Sequence, residues 1–275
     1  MTAPPETIPG KAALLGIRYD ASSSFQQGPA EAPTRIREAL WSPAGNPWTE
    51  AGVDLGAGLL CDEGDLTPEP GDQGRREIEA AVDRILTAGR APLVLGGDHS
   101  VTYPVVRAVR RHYPQLSVLH FDAHPDLYDS FEGDPFSHAC PFARVMEEGL
   151  ADRLVQVGVR TMNPHQREQA GRYRVEVLEM KDWRDDVRPS FDTPVYLSFD
   201  LDVLEPGLAP GVSHREPGGL TVRQALRVIQ SFEGRLIGAD LVEFNPLRDP
   251  SGLTASVAAK IVKELAARLL TEPSC

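Results

Sequence analysis

Six residues in three short segments carry the chemistry legible in this sequence. DAHPD puts Asp122, His124 and Asp126 at alternating positions, FDLD does the same for Asp200 and Asp202, and GGDHS presents His99 beside Asp98. Each segment follows an apolar run. On an extended strand, alternate side chains share a face about 6.6 Å apart, so Asp122 and Asp126 would stand about 13 Å apart. That is too far for both to grip one ion at roughly 2.1 Å. The chain must therefore turn near Asp122 or His124, and Pro125 suits a turn because its φ is fixed and it lacks a ladder donor. Asp200 and Asp202 repel each other unless a proton or cation intervenes. Gly96 and Gly97 permit a tight backbone. His99 can offer a neutral imidazole nitrogen, with Asp98 either orienting it as an acceptor or forming the turn. Together, two histidines and four carboxylates suit two divalent ions about 3.5–4 Å apart, able to hold a hydroxide between them. The mixed donor set favours Mn, with Zn, Ni, Fe and Co open. Two such ions cancel the carboxylate charge, so repulsion should destabilise the metal-free chain.

The elements that must position these residues follow from hydrophobic pattern. Short apolar runs at 12–17, 92–95, 116–121, 154–159, 195–199 and 236–241 read as strands buried on both faces. Helical spacing occupies 75–87 (Ile78, Val82, Ile85, Leu86), the stretch after Pro104 (Val105, Val106, Val109), 34–40, 221–231 with Thr221 as cap, and 254–270. Strands alternating with helices predict an α/β fold of three α/β/α layers around a mostly parallel sheet, with ligands at the strands' carboxyl ends. No internal repeat or linker divides residues 1–275, so a single domain is expected, with 1–10 a flexible tail. The segments 43–60, 61–74 and 128–141 read as loop insertions.

Composition narrows the partners. With 28 basic and 40 acidic residues the net charge is -12, which argues against nonspecific binding of nucleic acid or an acidic membrane and permits a cationic substrate. Cys61, Cys140 and Cys275 form neither a disulfide framework nor a ligand motif, which points to a reduced compartment. Cys275 falls in a tail expected to fray. With no secretory signal and no long apolar segment, the expected location is the cytoplasm.

GGDHS, DAHPD and SFDLDVLEP, in this order, resemble the three metal-binding motifs of the arginase–agmatinase (ureohydrolase) family, and the likeness runs from about Ala12 to the C-terminal helix. The resemblance implies an arginase-like fold, a homotrimer or homohexamer, and hydrolysis of a small cationic guanidino substrate to urea. It implies two Mn2+ per subunit, with Ni2+ or Co2+ as substitutes. Asp122 and Asp200 match the bridging carboxylates, His99 and Asp126 the ligands of one ion, and His124 and Asp202 those of the other. Asp126 also matches the carboxylate that holds the bridging hydroxide. His138 in FSHACPF matches an active-site histidine acting as proton shuttle. Glu243 in ADLVEFNP matches the acid that pairs with the guanidinium, and a carboxylate at a strand end can meet that planar cation in two-pronged fashion. No covalent intermediate is needed, so Cys140 reads as a loop-packing residue.

The substrate is less sharply marked. SSSFQQGPAEAPTRIREALW and APGVSHREPGGL resemble the plant-type arginase branch. They bring His214 beside the substrate with Glu243 and His138, put Phe25 or Gln26 at the mouth, and favour arginine. Val212, Ser213 and His214 stand where the commoner version bears TGT. Gly218–Gly219 is either a tight loop beside the pocket or a turn before the next helix. The loop between Asp126 and His138 points the other way. It holds Asp129, Glu132 and Asp134 but no Lys or Arg, which disfavours an α-carboxylate and tolerates an ammonium. On this charge argument agmatine, cleaved to urea and putrescine, stands ahead of arginine, cleaved to urea and ornithine. Guanidinobutyrate, formiminoglutamate and guanidine follow. A non-catalytic metal-binding protein is opposed by the presence of both His138 and Glu243, and a metal-dependent deacetylase by the order of the motifs.

Overall fold

A computed structural model describes residues 11–271; the expected flexible segment 1–10 and the tail with Cys275 lie outside them. In chain order the elements are β1 (Ala12–Ile17), α1 (Ala32–Leu40), β2 (Leu60–Leu66), α2 (Asp72–Thr87), β3 (Ala91–Leu95), α3 (Thr102–His112), β4 (Ser117–Phe121) and α4 (Pro141–Glu147). Then follow β5 (Arg153–Val157), α5 (Pro164–Arg172), β6 (Glu176–Leu178), β7 (Val195–Asp200), α6 (Val222–Ser231), β8 (Leu236–Val242) and α7 (Leu253–Leu270).

The strands form one sheet in the order β2-β1-β3-β8-β7-β4-β5-β6. Every pairing is parallel, so the expected "mostly parallel" sheet is wholly parallel among the described residues. Alternation on the strands makes the layers. Leu14 of β1 packs in one core cluster with α1, α6 and α7, whereas Ala13, Leu15 and Ile17 pack in the other with α2, α3, α4 and α5. Both faces are covered, which is why the central strands are continuously apolar.

Register puts the candidate residues on one rim. Leu95 of β3 pairs with Leu241 of β8, Leu241 with Phe199 of β7, and Phe199 with Phe121 of β4. The next residues on these four adjacent strands are Gly96, Val242, Asp200 and Asp122, so all four exits leave the sheet at one level. This is the carboxyl edge at which open α/β sheets bind ligands.

Two expectations of irregular chain are corrected. β2 lies within the segments read as loop, and α2 begins at Asp72. The sequence of β2, LCDEGDL, is mostly exposed and pairs only with β1; an edge strand needs no apolar alternation. The short β6 at the other edge escaped for the same reason, and α5 because its sequence is mostly polar. Thr221 caps α6 as expected, through a capping box with Gln224. Among the described residues no helix is long and apolar enough to cross a membrane.

Candidate metal centre and active site

The exit of β3 is fixed by close backbone approach. A Cβ on Gly97 would lie 1.6 Å from the Tyr19 carbonyl oxygen, so only glycine fits. Asp98 is fully buried and accepts from Ser22 N (2.9 Å), Ser23 Oγ (3.3 Å) and Ser100 N (3.1 Å). It therefore shapes the turn and does not orient His99. That task falls to the strands beneath. His99 Nε2 lies 3.0 Å from Ser198 Oγ, and Ser198 Oγ donates to Asp240 Oδ1 at 2.6 Å. The serine has one proton and gives it to Asp240, so it must accept from His99; Nε2 carries the ring proton that makes this bond.

The other nitrogen, Nδ1, is buried and has no hydrogen-bond partner among the described residues. It faces Asp126 Oδ2 at 3.0 Å and the Oδ2 atoms of Asp122 and Asp200 at 3.3 Å. After β4 the chain turns as expected: Asp126 takes φ 50° and its carboxylate comes back beside Asp122. A second group forms around His124, whose Nδ1 lies 3.0 Å from Asp202 Oδ2 and 3.4 Å from Asp122 Oδ1. Asp122 thus offers one oxygen to each group. Asp200 offers Oδ2 to the first, while its Oδ1 accepts from Asp202 N at 2.8 Å. All six expected ligands are brought together, five of them buried and His124 half-buried.

The electrostatics show what the site would take. Burial, then the charges of Asp202 and Asp122, push the Asp200 carboxyl well above 3.8, and burial with Asp122 lifts Asp202 to about 6. Burial opposes protonation of His99 and His124, yet the carboxylates hold both well above 6.5. Asp122 lies well below 3.8 because the neighbouring imidazoles of His120, His124 and His99 outweigh burial. The buried carboxylates call for positive charge between them, which protons or cations would supply. An unpartnered imidazole nitrogen aimed at three carboxylates, with a second imidazole–carboxylate group sharing Asp122, fits divalent cations of the oxygen- and nitrogen-binding class.

His138 and Glu243 adjoin this cluster. His138 Nδ1 lies 2.9 Å from Glu243 Oε1, and its Nε2 lies 2.8 Å from Ser24 Oγ. Glu243 Oε1 also accepts from His99 N at 2.8 Å. Burial opposes charge on both, but each stabilises the other: His138 is raised to about 9 and Glu243 is lowered from 4.5. Glu243 takes φ 62° and Asp126 φ 50°, left-handed conformations that cost of order 1–3 kcal/mol in non-glycine residues and cluster at functional sites.

The His214 ring lies 5.2 Å from that of His138, 6.2 Å from His124 and 5.8 Å from Phe25. Burial and the neighbouring His138 charge lower its pKa, keeping it neutral. Phe25 is therefore at the mouth as expected. Gln26 serves through its backbone: its carbonyl accepts from Ser213 Oγ (2.8 Å) and Asn245 Nδ2 (3.1 Å). Gly218 and Gly219 donate to Glu205 Oε2 and make a supporting turn. The acidic loop is engaged locally. Asp134 Oδ1 accepts from Phe136 N, Asp129 Oδ1 lies 3.2 Å from His165 Nε2 of α5, and Glu132 is exposed; among the described residues no hydrogen bond joins these acids to the candidate ligands. Cys140 is buried and free, its thiol pushed up to about 12.

Sequence reasoning missed the supports: Ser198, Asp240, His120, Gln156, Asn245 and Arg160. Arg160 donates to the carbonyls of Asp202 and Glu216, each at 2.6 Å, bracing the turn that carries Asp202. Nothing local marks it. His120 did carry a signal, since it stands two residues before Asp122 and so shares its strand face.

The comparisons with known proteins agree with this geometry. Residues 10–267 match the family model described as Arginase family. Arginase 1, mitochondrial, of Arabidopsis thaliana is 46% identical over 253 residues, covering 86% of this chain and 74% of its own. Agmatinase, mitochondrial, of Gallus gallus is 35% identical over 254 residues, covering 86% and 74%. The solved arginase of Medicago truncatula superposes with TM-score 0.89 at 44% identity, covering 94% of this chain and 87% of that one. These names correct the expected cytoplasmic location: the Arabidopsis and chicken relatives are mitochondrial proteins. The error was physical as well, because the composition of a catalytic fold carries no address. Fold, ligand cluster and relatives converge: the chain belongs to the arginase family and is a metal-dependent ureohydrolase acting on guanidino compounds.

Proposed function

We propose that this chain hydrolyses L-arginine to urea and L-ornithine, using two Mn2+ per subunit held by His99, Asp122, His124, Asp126, Asp200 and Asp202. The observation that carries arginine over agmatine is the identity gap, 46% to the Arabidopsis arginase against 35% to the chicken agmatinase. The charge argument for agmatine loses force because the Asp134 carboxylate accepts from Phe136 N of its own loop and Asp129 faces His165 of α5.

When bound, the cations supply Lewis acidity and a water that is nucleophilic at neutral pH. The rest is work for side chains. Glu243 uses Oε1 for His99 N and His138, which leaves Oε2 to accept an N–H of the planar guanidinium. Asp126 takes the proton released as the C–O bond forms at the guanidino carbon. It passes that proton to the leaving nitrogen as the C–N bond breaks. His138, charged at neutral pH through its pairing with Glu243, resupplies a proton to the departing amine, with Ser24 on its other nitrogen as the path outward. His214 and Phe25 cover the substrate at the mouth. A homotrimer or homohexamer belongs to the same reading, supported by the exposed apolar side chains of Leu247, Trp48 and Trp41.

The deciding experiment is urea release from Mn2+-loaded protein given arginine, agmatine and guanidinobutyrate separately. Arginine should lead agmatine by at least about tenfold in kcat/KM, a gap of roughly 1.4 kcal/mol. A reversed order would replace arginine by agmatine, the reading that a loop without Lys or Arg favours.

A further inference from the structure

The structure assigns a role to His120 and Gln156, which are not among the six expected ligands: they are positioning residues that fix the ring proton on His120 Nε2, and so orient Asp122 and the turn presenting Asp126. The assignment deepens the metal-dependent reading above and rests on it for its purpose, though not for its geometry.

Both side chains are fully buried and face each other across the β4–β5 pair. The atom of Gln156 lying 2.6 Å from the Pro125 carbonyl must be the amide nitrogen, because a carbonyl only accepts. Its second N–H points to His120 Nδ1 at 3.0 Å, so Nδ1 is a lone pair. The proton is therefore on Nε2, where it is donated to Asp122 Oδ2 at 2.9 Å. Phe142 packs over the imidazole with ring centroids 3.9 Å apart and fixes its plane. Nitrogens of His99 and His120 and an oxygen of Asp122 fall within 4.8 Å of one another. Even so, His120 has no free nitrogen to offer while this arrangement holds.

One side chain of β5 therefore does two things. It sets the tautomer that holds Asp122, the carboxylate offering an oxygen to each ligand group. It also pins the carbonyl just before Asp126, whose backbone is left-handed. Gln156 Oε1 has no partner among the described residues, so the amide is present for its two N–H groups. A carboxylate at this position could donate to neither acceptor. It would draw the ring proton to Nδ1 and turn the Nε2 lone pair against Asp122.

The test begins with the unmodified protein. In the metal-free chain, the ring 15N shifts of His120 should report protonation at Nε2; protonation at Nδ1 would overturn the assignment without any variant. Gln156→Glu and Gln156→Leu should each weaken Mn2+ binding, read by titration, by about 10- to 100-fold, with Gln156→Glu moving the His120 proton. Affinity within twofold of the parent in both would overturn it. His120→Phe combined with Gln156→Leu should lose less Mn2+ affinity than the sum of the two single losses, since both act on Asp122 through one hydrogen-bond chain; fully additive losses would contradict that. None of these readouts uses urea release, so failure of the substrate reading leaves a different signature.

Discussion

Glu243 is held by two neighbours through a single oxygen, and that makes its charge separable from its shape. Glu243→Gln keeps the volume and the acceptor toward His99 N but removes the anion that faces His138 and that, in the proposed function, meets the guanidinium. A hydrogen bond to a charged group is worth about 1.5–3 kcal/mol, so kcat/KM should fall roughly 10- to 100-fold, with metal content unchanged. Loss of metal together with activity would make Glu243 a structural partner of the His99 turn, and unchanged kinetics would remove its role at the guanidinium. The candidate ligands were legible as residues because side chains on a strand alternate, and a carboxylate or imidazole at every second position has few other uses. Their supports were not. Ser198 and Asp240 look like ordinary strand residues until β7 and β8 pair at Ser198↔Asp240 and lie beside the His99 turn. Only that pairing shows which nitrogen of His99 is left to face the carboxylates.

The decisive relation between elements is the approach of the β3 exit to the β1 exit. Gly97→Ala would drive a methyl group into the Tyr19 backbone. Overpacking of this kind costs about 1–3 kcal/mol, and more where backbone is the obstacle. Because His99 lies two residues on, this variant should lose metal stoichiometry along with thermal stability. Thr221→Ala supplies the contrast. It removes a helix cap worth about 1 kcal/mol on α6, away from the ligand cluster, and should lower the melting temperature while leaving the measured metal content intact. Equal metal retention in the two variants would mean that the tight β3–β1 contact does not position His99. The same contrast explains what the sequence made readable. Central strands are buried on both faces and announce themselves as apolar runs, whereas β2 and β6 at the sheet edges answer to a single neighbour and to solvent, so their polar sequences resemble loop.

For the whole molecule the governing quantity is how the buried negative charge is neutralised. In the metal-free chain Asp202 is raised from 3.8 to about 6, so its contribution to stability is complete below about 3.8 and is lost as pH rises through about 6. His99 and His124 act in the same sense from 6.5 upward, because both are raised above that value. Asp122 and Glu243 are lowered, so their contributions are present above 3.8 and 4.5 and fade only in acid. Between about pH 5 and pH 8 Asp98, raised to about 6, and His138, raised to about 9, act in the same sense as the first set, against His120 and His214, which are lowered from 6.5, so the chelated protein should lose stability as pH rises. Bound divalent cations replace those protons, so metal uptake should release protons and metal affinity should increase with pH. Cation at about 100 times its Kd adds roughly 2.7 kcal/mol to the folded state. The expected result is a difference in melting temperature between Mn2+-loaded and chelated protein that widens from about pH 5 to about pH 8. Parallel curves would mean that the protons on His99, His124, Asp200 and Asp202 do not occupy the positions of the cations, and the ligand set would have to be reassigned.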